Sequence, residues 1–176
     1  MELPLLEGEG VAGGADDGAG AGAFESAMNR AGKLLGIRPR TERELRDRLL
    51  AAGFGRTVIN QVLERLRGLG LVDDGAFARQ WVEERSRRKG LGPGALMAEL
   101  ARKGIGREVA EGALAAAGVE EHTHACVVAE RLLGKVGGRT LAHQAARLEQ
   151  MLLRRGFSAE AAEAGVTAVL PPEGWD

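Results

Sequence analysis

The stretch LLAAGFGRTVINQVLERL (residues 49–66) indicates a repeat protein, because it has two counterparts further along the chain. These are LARKGIGREVAEGALAAA (100–117) and LLRRGFSAEAAEAGVTAV (152–169). A glycine just past a helix end accepts the left-handed conformation at which such helices stop. Each copy is therefore predicted to be a helix, a glycine turn and a second helix. The glycines recur at spacings of 51 and 52 residues, each followed by a large apolar residue: Gly53, Gly104 and Gly156.

An apolar stretch with helical periodicity precedes each copy and supplies one further helix. These stretches are FESAMNRAGKLL, AFARQWVEERSRR and HACVVAERLLGKV. Repeats with a period of about 50 residues are typical of modular, elongated arrays rather than of one round core. The sequence therefore predicts an all-α protein of three tandem three-helix repeats, assigned to 26–71, 72–118 and, in a more diverged copy, 119–170.

The two ends of the chain lie outside these repeats. Residues 1–25 carry six acidic groups and no Lys or Arg, and EGEGVAGGADDGAGAGA (7–23) has few apolar side chains to bury. Because packing would not offset the loss of backbone entropy, we expect a disordered, acidic, Gly/Ala-rich tail over 1–25. Residues 171–176 are assigned to a short C-terminal tail.

Two prolines and a threonine mark helix boundaries within the repeats. Pro39 ends the first helix, because the residue before a proline disfavours the helical conformation. TERE (41–44) is a capping-box pattern, in which the Thr41 side chain caps the next helix and the Glu44 side chain bonds back to the backbone amide of Thr41. Pro93 stands near the start of a helix, where its missing N–H group costs little.

Composition narrows the class of protein. Aromatic residues make up 3% of the chain, which argues against an all-β fold. The single cysteine, Cys126, precludes an internal disulfide and fits a reducing compartment. The N-terminus lacks the basic and apolar segments of a signal peptide, and no apolar run approaches the roughly 20 residues that span a bilayer. We expect a soluble, monomeric cytoplasmic protein with no membrane partner.

The residues with reactive side chains form no recognisable active site. The glycine run at 90–94 lacks both phosphate-loop patterns, so we interpret it as a turn between helices. His122, His124 and Cys126 alternate along a helix, where residues two apart point in different directions, so the three cannot hold one metal ion. The serines are isolated from histidines, and the aspartate pair at 73–74 fits helix capping better than acid–base catalysis. We expect no enzyme activity and no cofactor.

The charge is distributed unevenly along the chain. Its formal net value is −1, yet residues 30–110 carry eighteen Lys/Arg against ten Asp/Glu, a difference of +8. Residues 111–176 carry six against nine, a difference of −3. A basic middle of this kind suits a polyanion or an acidic protein surface as partner.

The candidate binding residues are cations of this basic middle. The cluster at 85–89 has few acidic residues within helical reach, which favours a binding face. In repeat 1, acidic residues four positions away pair with the arginines, so a solvated helix face and a binding face are equally supported. Cations at the end of a helix also stabilise the helix dipole. The ten candidates are Arg85, Arg87, Arg88, Lys89, Arg102, Lys103, Arg107, Arg40, Arg43 and Arg46.

Three segments of the chain resemble the RecX family of regulatory proteins. They are RPRTERELRDRLLAAGF (38–54), VLERLRGLGLVDDGAFARQWVEERSRRKGLGPGALMAELARKGI (62–105) and a weak third copy that ends in LLRRGF. The signatures within them are R-P-R-[ST]-x-x-E-L, L-[VIL]-D-D-x-x-[FY]-A and G-P-x-x-[IL]-x-x-E-L-x-x-K-G-[IL], in this order. The resemblance covers residues 26–117 well and 118–170 faintly.

This resemblance implies a curved, elongated array of three three-helix repeats that binds the RecA protein. It implies that the array lodges in the groove of the RecA–DNA filament and inhibits ATP hydrolysis, strand exchange and stimulated repressor cleavage by RecA. The basic middle suits a groove in which DNA phosphates and acidic protein surface lie close together. Three positions, Ala52, Gly94 and Ala95, depart from the residues that the family often carries, and the acidic tail is not part of its common core.

Two other functions fit a helical repeat protein. An autonomous DNA-binding protein would use a helix-turn-helix motif formed around one of the GF or GI turns. The helix after Gly53, RTVINQVLERLRGL, argues against this function, because it has a strong apolar stripe and few side chains suited to reading bases. A helical adaptor for another protein is the third alternative.

Overall fold

The computed structural model describes residues 17–118, 120–138 and 140–170, with side chains from residue 20 onward. Within these ranges the chain forms nine α-helices and no strand, which confirms the all-α prediction. The helices are α1 (Asp17–Ile37), α2 (Glu42–Ala51), α3 (Arg56–Gly68), α4 (Asp74–Lys89), α5 (Pro93–Arg102), α6 (Arg107–Ala116), α7 (Glu121–Leu133), α8 (Leu141–Arg154) and α9 (Ala159–Val169).

Each group of three helices builds its own hydrophobic core. The first and third helices of a group form its most extensive contact in repeats 1, 2 and 3, where α1 packs on α3, α4 on α6 and α7 on α9. The first core includes Leu45 and Leu63, the second Leu96 and Leu100, and the third Leu148, all buried. Because the three clusters share no residue, the molecule is an array of small cores, as the repeat pattern predicts.

The predicted helix boundaries are confirmed at the glycine turns and at Thr41. Gly53, Gly104 and Gly156 have φ angles of +87°, +84° and +83°, the left-handed conformation that lets each second helix stop. The Thr41 side chain accepts a hydrogen bond of 3.2 Å from the amide of Glu44 and caps α2. Glu44 does not return this bond through its side chain, because its carboxylate binds Arg38 and Lys103 instead.

The first helix begins earlier than the composition suggested. Residues 17–25 belong to α1, although we expected them to be part of a disordered tail, whereas residues 1–16 and 171–176 lie outside the described residues. Alanine has the highest helix propensity and an aspartate is favourable at a helix N-terminus. In addition, Phe24 and Ala27 pack in the first core, so tertiary contacts stabilise this end of the helix.

The two aspartates at 73–74 have separate structural roles. The side chain of Asp73 caps α4, as predicted, by accepting a hydrogen bond of 2.8 Å from the amide of Ala76. The Asp74 carboxylate faces the preceding repeat and accepts a hydrogen bond of 3.0 Å from the amide of Glu42. Burial raises the pKa of Asp74, although this backbone hydrogen bond acts in the opposite direction.

Neighbouring repeats meet at equivalent positions in both junctions. At the first junction, the hydroxyl of Thr41, before α2, donates a hydrogen bond of 2.7 Å to the carbonyl oxygen of Lys103. At the second, the amide of Gly92, before α5, donates one of 2.8 Å to the carbonyl oxygen of Arg155. The start of each second helix thus docks on the glycine turn of the next repeat. The amide of Gly94 adds a hydrogen bond of 2.9 Å to the carbonyl oxygen of Gly156.

No helix within the described residues is long and apolar enough to cross a membrane.

Candidate partner-binding surface

The ten cations singled out from the sequence lie in different environments, and Lys103 is one of the least exposed. Its side chain is 18% exposed, and its Nζ lies 2.9 Å from Oε1 of Glu44 in the preceding repeat. The same ammonium group lies 4.3 Å from the ring centroid of Trp81 and 5.3 Å from that of Phe77. Lys103 therefore connects repeat 2 to repeat 1 through an ion pair and is held within repeat 2 by two cation–π contacts.

Arg85 belongs to the same polar cluster. Its guanidinium carbon lies 4.1 Å from the ring centroid of Trp81, and its Nε lies 3.4 Å from Oε2 of Glu99 on α5. The indole N–H of Trp81 donates a hydrogen bond of 2.8 Å to the same carboxylate oxygen. Although Arg85 precedes an exposed run of cations, its side chain is only 21% exposed. This placement favours a structural role in joining α4 to α5.

The charge of Glu44 is stabilised within this cluster. Burial by itself would raise the pKa of Glu44, but hydrogen bonds from Arg38 and Lys103 and the charges of these two cations outweigh burial and lower the pKa. Glu44 is therefore ionised at neutral pH and holds Lys103 against the aromatic pair Phe77–Trp81, whose ring centroids are 5.6 Å apart.

The three candidate arginines of repeat 1 are also engaged in contacts within the protein. The Nε of Arg40 donates a hydrogen bond of 3.1 Å to the carbonyl oxygen of Leu34. The Arg46 guanidinium donates one of 2.6 Å to the side-chain oxygen of Asn60. The aliphatic part of Arg43 packs on Gly104, so its exposed guanidinium lies beside the glycine turn of repeat 2.

The remaining five candidates are exposed on repeat 2. Three of them pair with a glutamate four positions away, at distances of 3.3, 3.3 and 2.7 Å: Arg87, Arg88 and Arg107. Exposed pairs of this kind contribute little stability, and another anion can readily replace the glutamate. The side chains of Lys89 and Arg102 make no hydrogen bond or ion pair to any residue that the structure describes.

Four of the five exposed cations form two groups, one beside each junction. Arg88 and Lys89 end α4 directly before the glycines that contact repeat 3. Arg102 and Arg107 flank the glycine turn that contacts repeat 1, on which Arg43 packs. The two groups lie near opposite ends of the ten-residue helix α5, which is roughly 15 Å long. We name Arg88 and Lys89 the α4-end group, and Arg102 and Arg107 the α5-end group.

A cavity that the sequence did not indicate lies between repeats 2 and 3. It has a volume of about 470 Å³ and is lined by residues of α4, α6 and α7. Two of its arginines, Arg79 and Arg131, were missed because each is isolated from the basic clusters along the chain. No local sequence signal relates them, and only the approach of α7 to α4 brings them to one cavity. The lining residues are Arg79, Glu83, Ser86, Arg87, Ala113, Ala116, Ala117, His124 and Arg131.

The histidine of this cavity helps to join repeats 2 and 3. His124 Nε2 lies 3.2 Å from the carbonyl oxygen of Leu91, and its ring centroid lies 5.3 Å from that of Phe157. Burial lowers the pKa of His124, although the hydrogen bond with Leu91 partly opposes this shift. Cys126 lies beside the backbone of α9, where its Sγ is 3.8 Å from the carbonyl oxygen of Ala164. Among the described residues, no group of three His, Cys, Asp or Glu side chains is placed to hold a metal ion.

Two family models match consecutive parts of the chain. The model described as RecX, first three-helix domain, matches residues 27–66, and the model described as RecX, second three-helix domain, matches residues 73–114. These ranges correspond to α1–α3 and α4–α6, and they include the TERE and GPGAL segments around which the two junctions form.

Regulatory proteins named RecX are similar to the chain over most of their length. The RecX of Mycolicibacterium vanbaalenii is 41% identical over 148 residues, which are 80% of this chain and 80% of that protein. The RecX of Mycobacterium avium is 38% identical over 143 residues, covering 80% and 83% of the two chains. The RecX of Thermobifida fusca is 35% identical over 143 residues, covering 81% and 77%.

Solved structures share the arrangement of the helices. The crystal structure of RecX from Lactobacillus salivarius matches with a TM-score of 0.75 at 23% identity and covers 84% of this chain and 96% of that one. A second crystal structure, of a regulatory protein RecX, matches with a TM-score of 0.73 at 26% identity and covers 82% and 73%. The order and packing of the helix repeats are thus shared with experimentally determined structures.

Proposed function

The chain belongs to the RecX family of regulatory proteins, which are not enzymes, and from this premise we propose that it binds the filament formed by the RecA recombinase on DNA. Binding inhibits the ATPase, strand-exchange and coprotease activities of RecA. The protein lodges in the groove of the filament, where its cations meet DNA phosphates and acidic protein surface.

The observation that carries this proposal is the placement of exposed cations beside both junctions. The α4-end group and the α5-end group lie near opposite ends of α5, a helix roughly 15 Å long, and we expect an extended polyanion to contact both. Lys89 and Arg102 have no competing partner within the described residues. Arg88 and Arg107 are held only by exposed pairs within their own helices, which a phosphate group displaces at little cost.

The less exposed cations orient the two groups. Lys103 and Arg85 lie against Trp81, and Lys103 also fixes repeat 1 through Glu44. Since these contacts join α2, α4 and α5, they set the direction in which the α5-end group faces. We assign Arg85 and Lys103 to positioning, and the exposed cations to contact with the filament.

The ATPase activity of RecA on single-stranded DNA provides the direct test. Purified protein is titrated into RecA and single-stranded DNA, and ATP hydrolysis is followed at each ratio. Inhibition at substoichiometric or equal amounts is expected. Unchanged hydrolysis at an excess over RecA, together with no binding to RecA–DNA filaments in a pull-down, would overturn the proposal.

Binding to naked DNA separates this function from that of an autonomous DNA-binding protein. The third helix of repeat 1, α3, buries Ile59, Val62, Leu63 and Leu66 in the first core, which leaves a restricted surface for reading bases. We expect weak binding to naked DNA that decreases steeply with salt and shows no sequence preference. Tight, sequence-selective binding in the absence of RecA would favour the autonomous DNA-binding function instead.

A further inference from the structure

The cavity between repeats 2 and 3 has the size and lining of a ligand-binding site. Its volume of about 470 Å³ lies in the range typical of small-molecule sites, about 300–1,000 Å³. Helix α4 forms one wall, Ala113 and Ala116 of α6 form an apolar wall, and His124 and Arg131 of α7 close the third side. The site is therefore built from two repeats and exists only where they meet.

Ser86 provides an unused polar group at this cavity. Its side chain lines the cavity, and the residue is only 6% exposed. The Ser86 hydroxyl makes no hydrogen bond to any residue that the structure describes. Among the described residues, the only buried side-chain nitrogen or oxygen without a hydrogen-bond partner is Nε of Arg85, so the Ser86 hydroxyl faces the space of the cavity, where a ligand can reach it.

The cations of the cavity are largely free to bind. Arg79 is exposed at the rim and makes no hydrogen bond or ion pair within the described residues. Arg131 donates one hydrogen bond of 3.1 Å, from Nη1 to the carbonyl oxygen of Arg87, so its other guanidinium donors remain available. The one acidic residue in the lining, Glu83, is paired with Arg87 at 3.3 Å. The cavity thus carries an excess of positive charge beside an apolar wall.

We propose that this cavity binds a phosphorylated nucleoside unit, either a free nucleotide or one nucleotide of a nucleic-acid strand. Arg79 and Arg131 hold the phosphate, because the guanidinium group donates two parallel hydrogen bonds to a phosphate oxygen pair. The Ser86 hydroxyl donates to a phosphate or sugar oxygen. The volume exceeds that of a phosphate alone, and the alanine wall accommodates the apolar part of the nucleoside.

This inference goes beyond the proposed function, since the cavity lies within one molecule and binds its ligand without RecA. It also uses residues other than the exposed cations of the α4-end and α5-end groups. Loss of nucleotide binding and loss of filament binding are therefore separable by variant.

Isothermal titration calorimetry of the full chain tests the proposal, with ADP and a short oligothymidylate as the two ligands. Arg79→Gln removes a cation that has no role in the fold, and Ser86→Ala removes only the unpaired hydroxyl. Arg56→Gln is the matched control, because Arg56 is an exposed arginine of repeat 1 with no partner among the described residues. We expect Arg79→Gln to weaken binding about tenfold and Ser86→Ala to weaken it by a smaller factor. Arg56→Gln should bind as the wild type does.

The two ligands distinguish the sources of the phosphate. Saturable binding of ADP that the oligonucleotide does not displace identifies a free nucleotide as the ligand. Binding of the oligonucleotide with the same sensitivity to Arg79→Gln identifies a strand. The proposal is wrong if neither ligand binds at millimolar concentration, or if both cavity variants bind as tightly as the wild type.

Discussion

Thr41 in repeat 1 donates a hydrogen bond of 2.7 Å to the carbonyl oxygen of Lys103, which lies 62 residues further along the chain. The equivalent contact at the next junction joins Gly92 to Arg155 at 2.8 Å. The donor is a side-chain hydroxyl at one junction and a backbone amide at the other, yet the same parts of the repeats meet. The junction geometry is thus a property of the repeat, and different residues satisfy it.

We expect Thr41→Val to lower the free energy of unfolding by about 1–3 kcal/mol, because it leaves the Lys103 carbonyl and the Glu44 amide without a buried partner. Thr41 is fully buried, so water cannot replace the lost hydroxyl. Urea denaturation followed by circular dichroism measures the change.

Thr140→Val is the matched control for this variant. Thr140 caps α8 in the same way, by accepting from the amide of His143 at 3.2 Å, but it is exposed and makes no hydrogen bond to another repeat within the described residues. Its loss is expected to cost about 1 kcal/mol, the usual contribution of a helix cap. Equal losses in the two variants would mean that the junction hydrogen bond contributes nothing.

Gly156→Ala should destabilise the protein more than Gly53→Ala does. Both glycines have left-handed backbone, so each substitution costs about 1–2 kcal/mol from conformation alone. A Cβ on Gly53 meets no atom within 4 Å, whereas one on Gly156 would lie 2.6 Å from the Cβ of Ala95 across the junction. This overlap adds a further cost of about 1–3 kcal/mol. Thermal unfolding of the two variants side by side measures the difference, and a Gly156→Ala variant as stable as Gly53→Ala would contradict the packing described.

Arg85→Gln and Arg88→Gln are expected to differ in stability although the residues are three positions apart on α4. The first substitution removes a cation–π contact and an ion pair at a side chain that is 21% exposed, with an expected loss of about 1–2 kcal/mol. The second removes an exposed pair, with an expected change within about 0.5 kcal/mol. Chemical denaturation checks both values. The structural role assigned to Arg85 fails if the two variants unfold at the same denaturant concentration.

Charge reversal of the free cations should weaken inhibition of RecA without affecting the fold. We expect the double variant Lys89→Glu and Arg102→Glu to require at least about tenfold more protein for half-inhibition and to reduce the salt dependence of binding by about two phosphate contacts. Circular dichroism should be unchanged, because both side chains are exposed and unpaired within the described residues. Arg56→Glu combined with Arg154→Glu, at exposed positions in repeats 1 and 3, is the control. Equal inhibition by both double variants would remove Lys89 and Arg102 from the proposed interface.

The stability of the second junction should decrease as the pH falls below the ordinary pKa of histidine, about 6.5. Burial lowers the pKa of His124 in the folded protein, so the unfolded chain takes up a proton at a higher pH than the folded one does. The free energy of unfolding therefore decreases between the unfolded and the folded pKa and then levels off. Denaturation at a series of pH values measures the slope, which His124→Gln should reduce. An unchanged slope in His124→Gln would assign the pH dependence to other groups.

The parts of the fold that depend on local chemistry were predictable. A glycine with positive φ is required wherever a helix ends in the left-handed conformation, so the recurrence of Gly53, Gly104 and Gly156 indicated both the turns and the repeat. Capping by Thr41 and the start of α5 at Pro93 follow from backbone preferences within a few residues. The start of α1 was not predictable from composition, because the contact of Phe24 with the first core stabilises a helix in a glycine-rich segment.

Three-helix repeats with a basic middle can be recognised in the sequence alone, since both properties depend on residue types at fixed spacings. Which cations are free to bind a partner depends on contacts between helices and between repeats. Counting the charges along α4 does not reveal the partner of Arg85, which is Glu99 on α5. In the same way, Lys103 pairs with Glu44 of the preceding repeat. The turn at 90–94 was predicted only as a link between helices. It also contacts repeat 3, through backbone hydrogen bonds from Gly92 and Gly94. Side chains from different helices and repeats meet only after the cores have packed, so no spacing along the chain encodes these contacts.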